Sequence, residues 1–97
     1  MNTLYSPGVI PVFELRHRVR LAREHASLSQ GELAEASGLS RPGIAKIEQG
    51  STKPRRTTLL LIALATGVDS YWLETGESPK TDTFQAAHDY GDRKSVV

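Results

Sequence analysis

Apolar residues recur at helical spacing in five short stretches of this 97-residue chain. The first stretch predicts a helix that begins at Val12 or Phe13 and ends at His25 or Ala26, since its apolar residues lie three or four positions apart. Two shorter stretches follow between residues 29 and 50, and the last two are each followed by glycine, a common helix terminator. The pattern therefore predicts an all-α domain of five helices.

A turn separates the two middle helices, in the segment SQGELAEASGLSRPGIAKIEQG. Gly38 interrupts the helical pattern there, and glycine suits a sharp turn because it lacks a Cβ atom. Ser40 is a suitable N-cap for the next helix. With Pro42 in the first turn, the Ser40 hydroxyl would accept a hydrogen bond from the Gly43 N–H.

The second of these helices has one apolar face and one outward face. Ile44 and Ile47 lie three residues apart and are predicted to be buried. The remaining positions then point outward: Arg41, Pro42, Ala45 and Lys46. Because a DNA major groove admits one α-helix, a short helix with such a face is typical of DNA recognition.

This segment resembles the helix-turn-helix of the lambda-repressor-like family, which includes phage repressors, Cro proteins and bacterial XRE-type regulators. The resemblance rests on a small residue at Ala34, a turn glycine at Gly38, and apolar residues at Leu39, Ile44 and Ile47. It extends over most of the chain. It implies a five-helix domain that binds double-stranded operator DNA as a homodimer.

The family also implies roles for individual positions. The base-contacting residues would be Arg41, Pro42, Gly43, Ala45 and Lys46. The phosphate-contacting residues would be Gln30, Ser51, Thr52, Lys53, Arg55 and Arg56. In phage repressors the glutamine at the place of Gln30 also braces the first residue of the recognition helix. Arg23 and Glu48 match an ion pair that ties the first helix to the end of the recognition helix.

Net charge is only +1, but the charges are unevenly distributed. Between residues 13 and 56, nine Lys and Arg oppose five Glu, whereas residues 57–97 carry six acidic and three basic residues. This asymmetry indicates one DNA-facing surface. Arg16, Arg18 and Arg20 on the first helix are interpreted as a solvated face, with phosphate contact as the alternative.

Three segments are predicted along the chain: an extended arm (1–12), the helix-turn-helix domain (13–76), and a polar, mostly flexible tail (77–97). The arm has no charged side chain. It is either a frayed terminus or an element that packs Val9 and Ile10 against a second subunit.

The fourth helix is predicted from Arg56 or Thr57 to Thr66, and the fifth from Ser70 to Thr75 with Asp69 as N-cap. The fourth carries leucines on its outer side: Leu60, Leu61 and Leu64. Such an apolar patch favours a dimer contact, unless the arm or the tail covers it. Trp72 is interpreted as a core residue close to that interface.

Neither a cofactor nor an enzymatic activity is predicted. Cysteine is absent, and no two of His17, His25 and His88 have the spacing of metal ligands. No apolar run approaches the roughly 20 residues of a membrane span, and the N-terminus lacks the features of a signal peptide, so we expect a cytoplasmic protein.

The expected function is sequence-specific transcription regulation. Because the chain has no room for the separate protease domain of self-cleaving repressors, a Cro-like or minimal phage-type repressor is favoured. The alternative is an antitoxin or protein-interaction module of the same fold, in which a small protein partner matters more than DNA. The leucine patch and the acidic tail support this alternative.

Overall fold

The computed structural model describes residues 8–79, which form five α-helices packed around one core. The helices are α1 (Leu15–His25), α2 (Gln30–Ser37), α3 (Arg41–Gln49), α4 (Arg56–Thr66) and α5 (Ser70–Thr75). No β-strand occurs within this part of the chain. The prediction of an all-α domain of five helices is confirmed.

The first helix begins two or three residues later than the sequence pattern predicted. The backbone N–H of Glu14 donates to Nδ1 of His17 at 2.8 Å, which makes Glu14 the N-cap of α1. The ring of Phe13 stacks on the same imidazole, with the ring centroids 5.6 Å apart. The apolar Phe13 therefore covers the start of α1 instead of extending it.

All five helices contribute fully buried side chains to the core. These residues are Val19, Leu33, Ile44, Ile62 and Leu73. α1 contacts α3, α4 and α5, while α2 packs against both α3 and α4. Removing a buried leucine or isoleucine side chain typically costs about 2–5 kcal/mol, so this core holds α2 and α3 in a fixed mutual orientation.

Side-chain caps fix the starts of α2, α3 and α5. Ser29 and Glu32 exchange reciprocal hydrogen bonds at 3.0 and 2.8 Å, and Asp69 Oδ1 accepts from the Trp72 N–H at 2.8 Å. Ser40 Oγ accepts from the Gly43 N–H at 3.0 Å, as the position of the proline predicted. The bounds of these helices follow from such local bonds.

The turn between α2 and α3 depends on Gly38 and on a buried hydroxyl. Gly38 has φ of +79°, a conformation that costs other residues free energy. Ser37 Oγ donates to the carbonyl of Leu33 at 2.7 Å and accepts from the Leu39 N–H at 3.3 Å. The two helices are therefore joined at a defined angle.

Arg18 is buried, and its assignment to a solvated face is wrong. Its side chain reaches the end of α5, where Nε donates to the Leu73 carbonyl at 2.9 Å and Nη2 to the Glu74 carbonyl at 3.0 Å. These carbonyls lie in the last turn of a helix, where a cation is favourable. Arg18 thus attaches α5 to α1.

Parts of the predicted arm and tail lie outside residues 8–79. From Gly8 to Glu14 the chain has no regular secondary structure, and Val9 and Ile10 are 94% and 86% exposed. The flexibility expected of the tail concerns mainly residues that the structure does not describe. Within residues 8–79 no helix is both long and apolar enough to cross a membrane.

We predict that Arg18→Met lowers the free energy of unfolding by about 2 kcal/mol, because two charge-assisted hydrogen bonds to α5 are lost. Urea unfolding followed by circular dichroism measures this change. Arg20→Met is the matched control on the same helix, since Arg20 is exposed and pairs with Glu24; it should change stability by less than about 0.5 kcal/mol. Equal effects of the two substitutions would contradict the capping role of Arg18.

Candidate nucleic-acid interface

One face of α3 is exposed along its length, because the opposite face is anchored in the core by Ile44 and Ile47. Arg41, Pro42 and Lys46 are exposed, and the smaller residues Gly43 and Ala45 between them are half-buried. The structure therefore brings the five predicted base-contacting residues together on the solvent side of one short helix.

The loop after α3 lies beside this face, and the two border an open cleft of about 520 Å³. The cleft is lined by Leu39, Ser40, Gly43, Lys46, Ile47, Thr52, Lys53, Pro54, Arg55 and Thr58. Three of these residues are cations and none is acidic. A cleft lined by charges of one sign concentrates the field there, so this one favours an anionic ligand.

The cations of this surface are not neutralised by the rest of the described chain. Within residues 8–79, the side chains of Arg41, Lys46, Lys53 and Arg55 form no ion pair and no hydrogen bond. Other arginines of the domain do have such partners. The unpaired cations thus coincide with the predicted DNA face.

Arg56 is placed differently from the other predicted phosphate contacts. Its Nε lies 3.6 Å from Glu74 Oε1 on α5, although its side chain is largely exposed. An exposed pair of this kind is weak, typically about 0–1 kcal/mol. Arg56 is therefore shared between α5 and solvent, and Lys53 and Arg55 are the cations of the loop that lie directly beside α3.

The predicted ion pair between Arg23 and Glu48 is present and bidentate. Arg23 Nε and Nη2 donate to the two carboxylate oxygens at 2.6 and 3.0 Å, and the two side chains are only 13% and 6% exposed. Arg23 Nη1 also donates to the Leu28 carbonyl at 2.9 Å. The pair joins α1, the connector after it, and the last turn of α3.

Hydrogen bonding to Glu48 raises the pKa of Arg23 above its ordinary value, despite the opposing effect of burial. A raised pKa on a base means that its stabilising contribution is complete below the unfolded-state pKa and is lost only as pH rises through the folded-state value. Arg23 therefore remains charged throughout the pH range of a DNA-binding measurement.

Gln30 braces the recognition helix at its end, which differs from the expectation drawn from phage repressors. Its Nε2 donates to Glu48 Oε1 at 3.1 Å, and no hydrogen bond joins it to Arg41 within residues 8–79. The side chain that lies near the start of α2 is that of Arg41 itself: its Cδ is 3.8 Å from where a Cβ of Gly31 would be. No contact with α3 was predicted from the sequence for Gly31, the residue that directly follows Gln30.

The candidate dimer-contact residues lie in more than one place. Leu60 and Leu61 are each 42% exposed and Leu64 is 81% exposed, on the side of α4 away from the core. Trp72 is half-buried and lines a separate apolar groove of about 310 Å³ with residues of α1, including Leu21. We call the first of these surfaces, Leu60, Leu61 and Leu64, the leucine patch.

The described residues offer no metal site. No three His, Asp or Glu side chains between residues 8 and 79 are grouped so that they could hold an ion.

The chemistry of the exposed α3 face is hydrogen-bond donation and positive charge, which complement base edges and phosphates.

Two short helices at a fixed angle, the second with an exposed polar face beside a cationic loop, define a helix-turn-helix DNA-binding domain of the lambda-repressor-like type. The family model HTH_3, described as helix-turn-helix, matches residues 19–73, and the chain belongs to this family of DNA-binding transcription regulators.

A curated protein and a solved structure illustrate the similarity of the chain to known proteins. The HTH-type transcriptional regulator PrtR of Pseudomonas aeruginosa is 40% identical over 68 residues, which are 70% of this chain and 26% of PrtR. The chain thus spans about a quarter of the length of that regulator. The crystal structure of the hypothetical transcription factor NHTF from Neisseria superposes with a TM-score of 0.61 at 26% identity, covering 82% of this chain and 94% of that one.

We predict that Glu48→Leu lowers the free energy of unfolding by about 1–3 kcal/mol, because it leaves the partly buried Arg23 guanidinium without its counter-charge. The double variant Arg23→Met/Glu48→Leu should recover most of this loss, since neither charge then remains buried. Urea unfolding of the two variants measures the difference.

Glu24→Leu is the control for this pair, since Glu24 forms an exposed ion pair with Arg20 on the same helix as Arg23. It should have little effect on stability. A Glu48→Leu protein as stable as the Glu24→Leu protein would show that the buried pair does not constrain the domain.

Proposed function

We propose that this chain is a sequence-specific transcriptional regulator that binds operator DNA as a homodimer, with α3 in the major groove. The observation that carries the proposal is the coincidence of the exposed α3 face with the cations that have no internal partner, Arg41, Lys46, Lys53 and Arg55. Membership of a DNA-binding family supports the same conclusion.

Arg41 and Lys46 are the proposed base-contacting side chains on α3. Arg41 is the first residue of the helix, and its guanidinium can donate to O6 and N7 of a guanine in the bidentate geometry. Lys46 follows at more than one turn along the same exposed face. Pro42 and Ala45 offer apolar contact, for example to a thymine methyl group, and Gly43 allows close approach of the backbone.

The DNA backbone would be held on both sides of α3. Lys53 and Arg55 supply positive charge from the loop, with the hydroxyls of Ser51 and Thr52 beside them. On the other side, Gln30 is the first residue of α2, where backbone N–H groups and the helix dipole favour a phosphate. These contacts would fix the register of α3 without selecting a sequence.

The leucine patch is the proposed dimer contact. Three leucines that protrude from one side of α4 form an apolar surface of the kind that marks interfaces. Two copies related by a two-fold axis would present two α3 helices to two half-sites, about 34–36 Å apart for adjacent major grooves. The exposed Val9 and Ile10 of the arm are proposed to contribute to this contact.

Within the helix-turn-helix family, the proposed type is a Cro-like or minimal phage-type repressor that acts in the bacterial cytoplasm. The leucine patch also supports a second candidate function. In that case the domain is an antitoxin or interaction module, whose α4 binds a small protein and whose DNA binding is secondary. No catalytic role is proposed for any residue.

We expect the protein to bind a DNA fragment from upstream of its own gene more tightly than scrambled DNA, and to keep this preference when salt is raised from 50 to 200 mM. Fluorescence anisotropy measures both affinities. Arg41→Ala should reduce the preference by about 1–3 kcal/mol at one base position, because one bidentate contact is lost.

Lys53→Ala is the matched comparison for Arg41→Ala, because both cations are exposed and unpaired within residues 8–79. It should weaken binding to native and scrambled DNA alike and flatten the salt dependence. If Arg41→Ala behaved in the same way as Lys53→Ala, base contact by Arg41 would be wrong.

We predict that Leu64→Glu converts the dimer to a monomer, since it places a charge at the centre of the apolar contact. Light scattering after size-exclusion chromatography measures the mass, and affinity for a two-half-site operator should fall with it. Leu21→Glu is the control, because Leu21 is also exposed but lies on α1 beside Trp72. Dissociation by Leu21→Glu alone would place the interface at the Trp72 groove instead.

A further inference from the structure

Arg16 of α1 lies directly over Gly50, the residue that ends α3. A Cβ atom at Gly50 would be 2.8 Å from Arg16 Cδ and 3.6 Å from Arg16 Nη1, so the absence of a Cβ lets the Arg16 side chain lie here without displacement. Gly50 also has φ of +80°. The Arg16 side chain therefore lies against the end of α3, where the following loop starts.

Arg16 takes part in a second open cleft, of about 520 Å³, on the α1 side of the loop. The cleft is lined by Glu14, Leu15, Arg16, Ile47, Gly50, Ser51, Thr52, Lys53 and Pro54. Thr52, Lys53 and Pro54 line the first cleft as well. The loop thus has Lys46 of α3 on one side and Arg16 of α1 on the other.

The guanidinium of Arg16 retains most of its donors. Its Nε donates to Glu14 Oε1 at 3.1 Å, but Nη1 and Nη2 have no acceptor within residues 8–79. The side chain is 44% exposed. A planar group with two adjacent free nitrogens suits the oxygens of a phosphate, which arginine binds in a bidentate way.

We propose that Arg16 is a further contact to the DNA backbone, which binds a phosphate together with Lys53 and the Thr52 hydroxyl. The proposal rests on the proposed function, because the ligand is the same DNA that α3 binds. It extends the DNA-binding surface beyond the helix-turn-helix and its loop to the first helix.

The structure separates Arg16 from the other arginines that the sequence grouped with it. Arg18 is buried and bonded to the carbonyls of α5, so it cannot reach DNA. Arg20 pairs with Glu24 through Nε at 3.1 Å and lines neither cleft. Arg16 and Arg20 therefore lie on the same helix and form the same kind of exposed ion pair. They differ in that only Arg16 lies next to the loop after α3.

Glu14 opposes the interaction in the free protein. Its carboxylate partly neutralises Arg16 and lines the same cleft, where it would repel a phosphate. Removal of the carboxylate should therefore strengthen DNA binding, whereas removal of the guanidinium should weaken it. If Arg16 and Glu14 served only to stabilise the fold, removal of either side chain would not change DNA affinity in opposite directions.

The experiment measures the affinity of Arg16→Gln, Arg16→Lys, Arg20→Gln and Glu14→Gln for native and scrambled DNA between 50 and 200 mM salt. Arg16→Gln should reduce the magnitude of the slope of log K against log salt by about 0.9. The ratio of wild-type to variant affinity should therefore fall by about 3.5-fold when salt is raised from 50 to 200 mM. Arg16→Lys and Arg20→Gln should keep the wild-type slope, and Glu14→Gln should bind both DNAs roughly two- to fivefold more tightly.

A wild-type slope for Arg16→Gln, or an equal loss of slope for Arg20→Gln, would overturn the proposal while leaving the proposed function intact. If the wild-type protein binds both DNAs equally, sequence recognition fails, but the slopes still test Arg16 on the scrambled fragment. If the wild-type protein binds neither DNA, both proposals are wrong. Circular dichroism of each variant confirms that the helical content is unchanged.

Discussion

The partly buried ion pair between Arg23 and Glu48 is the interaction on which the presentation of α3 depends. It connects α1, the connector carbonyl of Leu28, the first residue of α2 and the last turn of α3 through one guanidinium and one carboxylate. Desolvation of two buried charges roughly offsets their attraction, so the pair adds little net stability. Its contribution is geometric: the donors of arginine point in fixed directions, and a displaced α3 would leave two buried charges unsatisfied.

Arginine has two distinct uses in this domain, and burial separates them. Arg18 and Arg23 are enclosed and bonded to carbonyls or to a carboxylate, and they hold helices together. Arg41 and Arg55 are exposed and have no partner among residues 8–79, so their charge is available to a ligand. A net charge of only +1 therefore conceals a strongly cationic face, because neutralisation occurs elsewhere in the molecule.

Structural features that depend on hydrogen bonds between residues close in sequence were predicted correctly. Features that depend on contacts between residues far apart in sequence were not. The N-caps Ser29, Ser40 and Asp69 gave correct helix starts, because a capping bond spans only three residues. Arg18 lies one turn before Ala22 in the buried stripe of α1, which was a signal for burial. Its acceptors, however, are carbonyls 55 and 56 residues away, which helical periodicity does not identify. The start of α1 was missed because a histidine side chain, rather than a pattern of apolar residues, fixes it.

A dimer formed through the leucine patch on α4 would constrain the geometry of the operator. α4 packs against α2, and α2 packs against α3, so the patch and the recognition helix belong to one rigid unit. A dimer formed through the patch would therefore have a fixed distance between its two α3 helices. Half-site spacing would then be a property of the α4 contact, and α3 would determine only the sequence within each half-site. A substitution on α4 that shifts the contact would change which operators fit without altering any residue that touches a base.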